Sequence, residues 1–300
     1  MTGELLAMRR ASVGAPVADY ARLVDRARVN RGGRGGLNAS STAITATSLI
    51  TKTVTAHVDP HTKGDYTELI AATGHDAETL EVYLMTGPAA TTVNSSTLLD
   101  IAFGAALAEV VKIPNMNVSH NGAIIHVYRF PFRVPAGTRI AARCQSAVTV
   151  QGLGVACRVM QGGDHSAAPT VCTTLNADTA TSNGTAPTAA GSTNTKAAWN
   201  ELVSAAATSY RRLVVSVGAT ATNGTTAATG LIDIGIGGAG SESVIVGDIF
   251  YDMVSTERIF SVGNGCYTVD IRPGDRLAWR YQATNTGNGA RPVATVHLLS

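Results

Sequence analysis

The chain has few charged residues, few aromatic residues and no long apolar run. Asp, Glu, Lys and Arg make up 15% of its 300 residues, against about a quarter in typical soluble proteins. The formal net charge is +2, which argues against a general nucleic-acid binder. No apolar run approaches the roughly 18 residues of a membrane-spanning helix, so membrane insertion is not expected. Five Phe, eight Tyr and two Trp leave few rings for stacking on sugars or bases.

The sequence also offers no secretory signal and no cysteine framework. The opening segment, MTGELLAMRRAS, places its arginines after a short apolar patch, which is not the order of a signal peptide and predicts synthesis in the cytoplasm. The four cysteines show no CxxC spacing. Cys144 and Cys157 lie in alternating apolar stretches, where a buried free thiol is the ordinary interpretation. Their spacing nevertheless leaves a Cys144–Cys157 disulfide open.

A basic segment comes first in the chain. Residues 1–36 hold seven arginines against three acidic residues. Within them, Pro16–Val29 has the apolar spacing of an amphipathic helix with proline at its first position, and RGGRGG follows as a hinge. A helix of about 14 residues is marginal alone in water, so residues 1–45 are predicted to form an arm that docks on an acidic protein groove. The predicted docking residues are Val17, Tyr20, Leu23 and Val24.

Small and polar residues dominate a second segment. Residues 161–198 consist almost wholly of Gly, Ser, Thr, Ala, Asn and Pro. This composition predicts a linker over residues 161–192, with at most one short strand near Thr170–Leu175. On this interpretation the linker separates two β-rich blocks, residues 46–160 and 193–300.

The two β-rich blocks repeat each other. YTELI (66–70) recurs as WNELV (199–203), and LDIAFG (99–104) recurs as IDIGIG (232–237) at the same spacing. Further along, AGTRIA (136–141) recurs as PGDRLA (273–278) at a slightly longer spacing. Loops between fixed strands absorb such small changes of spacing. The sequence therefore predicts two copies of one structural unit.

Each copy has the pattern of an antiparallel β-domain. Apolar residues alternate with small or polar ones, and turn signals recur at short intervals. Gly137 and Gly274 follow prolines in matched turns and are predicted to adopt positive φ. About seven strands in about 100 residues fit a jelly-roll-like β-sandwich, and no helical pattern alternates with the strands as a parallel sheet would require. The predicted fold is mainly β, with two tandem homologous antiparallel β-sandwich domains preceded by a short N-terminal helix and arm.

One segment matches a nucleotide-binding fingerprint. Residues 235–240 read GIGGAG and satisfy GxGxxG directly after an apolar run. The following segment, SESVIVGDIFYD, is rich in β-branched residues and is unsuited to the helix that such a site needs. The first copy also lacks two of the three glycines. The segment is therefore predicted to be a tight connection between the strands Leu231–Ile236 and Ser243–Val246.

Histidines and acidic residues cluster near the start of the first copy. His57, Asp59 and His61 lie close together, with Asp65 and His75 nearby, and could in principle hold a metal ion. Pro60 prevents a helical pair of histidine ligands, and the second copy has no matching cluster. Exposed loop histidines are the favoured interpretation, and no metal or cofactor is predicted.

Four charged positions recur in both copies. A catalytic acid–base pair is needed once, whereas a contact that specifies the fold is needed in every copy. We therefore interpret these residues as structural arginine–carboxylate pairs. The chain also carries no GxSxG, HExxH, Walker or kinase signature, so a non-enzymatic protein is predicted. The recurring residues are Glu68, Asp100, Glu109 and Arg139 in the first copy, and Glu201, Asp233, Glu242 and Arg276 in the second.

The repeated segments together resemble the β-domains of virion proteins of tailed bacteriophages. The segments are TELIAA and NELVSA, LLDIAFG and LIDIGIG, and AGTRIA and PGDRLA, and the resemblance extends over about two thirds of the chain. It implies a tail-associated or fibre-type structural subunit of the virion, made in the host cytoplasm and present in several copies. Its implied partners are other virion proteins and copies of itself.

A second hypothesis comes from a different class of protein. The two copies could form a pair of carbohydrate-binding modules that contact host cell-surface glycans. Such modules need an exposed aromatic platform, and Trp199 and Trp279 are the candidates. Their positions in strand-like segments favour a place in the core instead.

Overall fold

The structure, a computed structural model, describes nine stretches of the chain. They are residues 51–85, 96–119, 126–148, 152–161, 168–219, 227–254, 258–261, 265–286 and 291–300. The predicted helix Pro16–Val29, the docking residues Val17, Tyr20, Leu23 and Val24, and the arm 1–45 lie outside them.

Every regular element in the described ranges is a β-strand, and all strand pairs are antiparallel. The predicted β class is therefore confirmed. None of these residues forms a helix of the length and apolarity that a membrane span requires.

Eight strands make up what we call the first half. They form two four-stranded sheets, with the orders β1-β8-β3-β6 and β2-β7-β4-β5. The strands are β1 (Lys52–Thr55), β2 (Thr67–Ile70), β3 (Thr79–Met85), β4 (Ser96–Phe103), β5 (Val110–Ser119), β6 (His126–Phe130), β7 (Ile140–Ser146) and β8 (Gly152–Met160).

Nine strands make up the second half. They form a five-stranded sheet, β10-β16-β12-β13-β14, and a four-stranded sheet, β15-β11-β17-β9. The strands are β9 (Cys172–Leu175), β10 (Asn200–Val203), β11 (Tyr210–Ala219), β12 (Ala228–Ile236), β13 (Ser243–Val254), β14 (Arg258–Ser261), β15 (Cys266–Ile271), β16 (Leu277–Ala283) and β17 (Pro292–Leu299).

Strand order and irregularities correspond between the halves. The order β2-β7-β4-β5 recurs as β10-β16-β12-β13. The register shift between Glu68 and Ile70 recurs between Glu201 and Val203. A bulge at the same place in two sheets means that the strands bend at the same place.

Backbone conformations of positive φ also recur at matched positions. Such conformations are strained for residues other than glycine, so their recurrence at matched positions is a specific feature of the backbone. The turn glycines Gly137 and Gly274 have φ of 76° and 87°, as predicted. The matched pairs are His61 and Asn194, Gly104 and Gly237, Leu107 and Gly240, Asn115 and Asp248, and Gly137 and Gly274.

Each half has a buried apolar core to which both of its sheets contribute. The sheet β15-β11-β17-β9 reaches both cores, because successive side chains of a strand point to opposite faces. Leu213 and Val215 of β11 belong to the second core, whereas Val214 belongs to the first, together with Leu299 of β17. The halves therefore share a packed interface, and the described residues belong to one compact unit.

Part of the predicted linker is incorporated into this unit. Strand β9 occupies the edge of the second-half sheet, beside β17, at the place where a short strand was predicted. Beyond it, Nδ2 of Asn176 donates to the carbonyl of Ala294 at 2.8 Å.

Candidate functional site

An arginine between two glutamates lies at one end of the first half. Arg139 precedes β7, and its Nε donates to Glu68 at 2.8 Å while its Nη1 donates to Glu109 at 2.8 Å. The same Nη1 lies 3.3 Å from the carbonyl oxygen of Gly104. The guanidinium thus joins β2 to the loop between β4 and β5.

The second half contains the same arrangement. Nε of Arg276 donates to Glu201 at 2.8 Å, and Nη1 donates to Glu242 at 2.7 Å. Nη1 also lies 3.2 Å from the carbonyl oxygen of Gly237. The structure therefore brings together three of the four recurring residues of each copy.

The electrostatics of these clusters favour the charged forms. Hydrogen bonds to Glu68 and Glu201 are the largest effects raising the pKa values of Arg139 and Arg276. Partial desolvation acts to raise the pKa of Glu242, but hydrogen bonds from Arg276 and from its own backbone lower it overall. Carboxylates held ionised in this way are poor general acids.

The fourth recurring residue, Asp100, forms a separate cluster. Its Oδ1 accepts from Nζ of Lys63 at 2.8 Å and from the backbone N–H of Asn115 at 2.9 Å. Its Oδ2 accepts from Nε of Arg143 at 3.1 Å. The Arg143 guanidinium lies 4.6 Å from the centre of the Tyr66 ring, a cation–π geometry.

Asp233 repeats this cluster in the second half. Its oxygens accept from Lys196 at 2.7 Å, from the N–H of Asp248 at 3.0 Å and from Arg280 at 3.0 Å. The Arg280 guanidinium lies 4.4 Å from the Trp199 ring. Burial acts to raise the pKa of Asp233, but these hydrogen bonds, that from Lys196 foremost, lower it overall.

Sequence reasoning found the repeated rings of Tyr66 and Trp199 but assigned them no partner, and it missed the basic members of these clusters. The lysines at 63 and 196, and the rings at 66 and 199, are separated along the chain by the same number of residues as the segments YTELI and WNELV. The arginines at 143 and 280 are separated by the same number of residues as AGTRIA and PGDRLA. These matched positions were available in the sequence. Their partners, however, lie far away along the chain, and only the strand pairing identifies them.

The aromatic candidates for glycan binding are largely enclosed. Trp279 is 1% exposed and belongs to the second core. Trp199 is half-buried, with its ring against Arg280. Neither tryptophan forms an exposed aromatic platform.

The histidines and acidic residues near the start of the first copy do not converge on one point. His57 Nδ1 lies 3.4 Å from Asp59, whereas Nδ1 of the exposed His61 lies 3.0 Å from the Ser182 hydroxyl. Across the described stretches, no three His, Cys, Asp or Glu side chains are grouped so that they could hold a metal ion.

All four cysteines are free, which answers the question that the Cys144–Cys157 spacing left open. Both of these side chains are buried, and burial raises the pKa of each thiol to about 12. Thiols of this kind are unreactive because almost none is ionised near neutral pH.

The GIGGAG segment connects two antiparallel strands, as predicted. It joins β12 to β13 through a turn in which the N–H of Ser241 donates to the carbonyl of Gly238 at 2.9 Å. A strand rather than a helix follows it, so the segment lacks the helix N-terminus of a dinucleotide site.

A chain of hydroxyls and one histidine lies between the two halves. The hydroxyl of Thr174 donates to the carbonyl of Pro114 at 2.7 Å and lies 2.9 Å from Nδ1 of His297. With its proton so used, the threonine oxygen accepts from Nδ1–H. Nε2 of His297 is then an acceptor for the Ser216 hydroxyl, 3.0 Å away.

This serine–histidine contact has the geometry of an activated nucleophile. Ser216 and His297 are both 0% exposed, however. Burial lowers the pKa of His297 to about 3, which keeps the ring neutral. With both groups enclosed, no substrate can reach the hydroxyl, and the contact serves to satisfy buried polar groups.

No protein-family model matches the chain, and no curated protein sequence matches it. Among solved structures, PNGF-II is 7% identical at a TM-score of 0.31, over 78% of this chain and 59% of that chain. A peptide-N(4)-(N-acetyl-beta-D-glucosaminyl) asparagine amidase is 10% identical at a TM-score of 0.30, over 83% of this chain and 96% of that chain. An insecticidal delta-endotoxin from Bacillus thuringiensis is 8% identical at a TM-score of 0.24, over 76% of this chain and 53% of that chain. The match thus spans less than two thirds of PNGF-II and of the endotoxin, and such values identify neither a fold family nor a function.

Proposed function

We propose that this protein is a non-enzymatic structural subunit of a tailed-bacteriophage particle, tail-associated or fibre-type. Its N-terminal arm, residues 1–45, anchors it, and two tandem homologous jelly-roll-like β-sandwiches project from the arm. The observation that carries the proposal is the double occurrence of both charged clusters, around Arg139 and Arg276 and around Asp100 and Asp233.

The repetition favours a scaffold over an enzyme. When a domain is duplicated, one copy can lose its catalytic site while the other keeps it. The catalytic residues of two copies therefore tend to diverge. The contact distances here are nearly equal in the two copies, for example 2.8 Å at Glu109 and 2.7 Å at Glu242. These contacts join the ends of neighbouring strands, where an ion pair fixes the position of a loop.

The two cores support the sandwich assignment. In each half, side chains from two antiparallel sheets enter one apolar cluster, which is the arrangement of a β-sandwich. Ion pairs at the sheet ends and a buried apolar core make a rigid module suited to display on a particle.

The arm supplies the proposed anchor. A short amphipathic helix gains order when its apolar stripe is buried against a partner. The stripe Val17, Tyr20, Leu23 and Val24, with the arginines around it, suits an apolar groove with an acidic rim on another virion protein.

Incorporation into particles tests this function. We expect the full chain to be present in purified phage particles and a variant lacking residues 1–36 to fold but to be absent from them, as measured by quantitative mass spectrometry. Circular dichroism and thermal unfolding of the truncated chain provide the folding control. Absence of the full chain from the particles would refute the proposal, and normal incorporation of the truncated chain would refute the role of the arm.

A further inference from the structure

An exposed leucine occupies a strained turn at one end of the first half. Leu107 is fully exposed and has φ of 67°. It is the third residue of a turn in which the N–H of Ala108 donates to the carbonyl of Ala105 at 3.0 Å, a position that favours glycine when φ is positive. The second half has Gly240 at the matched position, with φ of 81°. Leu107 thus strains the backbone and gains no burial in return, which points to a use outside the monomer.

An apolar cleft lies beside this turn. Its volume is about 810 Å³. The neighbouring Val110 is 57% exposed, and the basic residue Lys112 is part of the lining. The lining includes Phe103, Ala106, Val110, Lys112, Phe132 and Pro135.

The second half does not keep these features. Ser243 stands where the first half has Val110, Ile245 where it has Lys112, and Arg272 where it has Pro135. The shared framework therefore does not require the combination of an apolar lining with Lys112 at this place. The first half carries it for a reason of its own.

A complementary knob lies at the opposite end of the first half. Val58 is 62% exposed, and the side chain of the adjacent Asp59 is 76% exposed. The turn that presents them is closed by a hydrogen bond from the N–H of Thr62 to the carbonyl of Asp59, at 3.3 Å. The matched residues of the second half are Gly191 and Ser192, so this feature too belongs to the first half alone.

The cleft and the knob cannot meet within one chain. Gly104, at the cleft, donates to the carbonyl of Arg139 immediately before β7 begins, whereas His61, beside the knob, donates to Ser146 at the end of β7. The seven residues of β7 separate the two ends by about 20 Å.

We infer that copies of this protein associate head to tail, with the Val58–Asp59 knob of one copy seated in the apolar cleft beside Leu107 of the next. Val58 meets the apolar lining and Leu107, and the Asp59 carboxylate meets the Lys112 ammonium. Such a contact joins two different surfaces, so it produces a ring or an open stack rather than a closed dimer. The inference deepens the proposed function, on which it rests, by naming a second copy as a partner of the subunit.

Sedimentation velocity of the full chain from roughly 1 to 300 µM tests the contact. We expect concentration-dependent association that Leu107→Gly and Val58→Gly each weaken by about tenfold or more. Val244→Ser, which changes a valine that is 47% exposed in the second half, is the matched control and should leave association unchanged. Because Leu107→Gly removes backbone strain, its melting temperature should be equal or higher, which separates lost contact from misfolding.

Charge exchange tests the pairing itself. Lys112→Asp and Asp59→Lys should each weaken association by about five- to tenfold, and the chain that carries both changes should recover most of the loss. A chain that stays monomeric at every concentration, association that these variants leave unchanged, or an equal effect of Val244→Ser would overturn the inference. None of these results decides whether the chain is incorporated into phage particles, which is measured separately. The inference and the proposed function can therefore fail independently.

Discussion

The hydroxyl of Ser216 lies 3.0 Å from Nε2 of His297, and both side chains are enclosed between the two halves of the molecule. The ring is neutral because burial lowers the pKa of His297 to about 3. In the unfolded chain the same ring has a pKa of about 6.5. This difference makes the stability of the protein depend on pH.

The first prediction concerns mild acid. Between about pH 6.5 and pH 3 the unfolded chain binds a proton at His297 and the folded chain does not, so stability is complete above pH 6.5 and decreases as the pH falls. The expected slope is up to about 1.4 kcal/mol per pH unit. His297→Gln should make the free energy of unfolding depend less steeply on pH. Urea unfolding measures this slope from pH 7 to pH 4.5, a range that lies above the titration of most carboxylates. His57→Gln, at a partly exposed position, is the control, and an equal slope in wild type and His297→Gln would contradict the prediction.

The second prediction concerns the repeated aspartates. Asp100 and Asp233 are each 3% exposed and each accepts from one lysine and one arginine. Asp100→Asn and Asp233→Asn should each destabilise the protein by about 2 kcal/mol, because the basic partners lose their counter-charge in a partly desolvated site. Thermal unfolding measures the effect. Asp270→Asn, at an exposed ion pair, should cost less than about 1 kcal/mol, and a larger effect there than at Asp100 would count against the prediction.

The third prediction concerns the space beneath Trp199. A Cβ atom added at Gly235 would lie 2.6 Å from the indole ring. The first half has the smaller ring of Tyr66 and the larger Ala102 at the matched positions. Gly235→Ala should therefore destabilise the protein by about 1–3 kcal/mol, and adding Trp199→Tyr should restore most of the loss in thermal unfolding. The same cost in the single and double variants would show that ring size is not the cause.

The fourth prediction concerns the interface between the halves. A Cβ atom at Gly218 would lie 2.1 Å from Oδ1 of Asn117, whose Nδ2 donates to Asn183 at 2.8 Å. Gly218→Ala should lower stability by about 1–3 kcal/mol because it displaces a buried amide. Near-ultraviolet circular dichroism and denaturant unfolding measure the loss. If Asn117→Ala in the same chain relieves none of it, the close contact is not what excludes a side chain at Gly218.

Individual strands were predictable because their pattern is local. The sequence predicts strands at Leu231–Ile236 and Ser243–Val246, and the structure has β12 at Ala228–Ile236 and β13 at Ser243–Val254. Alternation of apolar and polar side chains reports which residues share a face. The same logic found the recurring charged residues, since a repeat is visible without knowledge of its contacts.

Other features were not predictable from local pattern. Thr295 and His297 alternate with the apolar residues of β17 and would be expected to face solvent, yet all eight residues of the strand are buried. The reason is that the first half covers the second face of this sheet. No strand is predicted from the sequence at β1, which is four residues long.

The sequence by itself determined the β class, the repeat and the residues that recur in it, because each follows from periodicity along the chain. Only the tertiary structure decided which charges pair, that Ser216 and His297 are sealed between the halves, and that Leu107 occupies a backbone conformation suited to glycine. These depend on which strands become neighbours and which faces are covered. Burial and hydrogen bonding are set by groups that lie far apart in sequence, and so no local pattern encodes them.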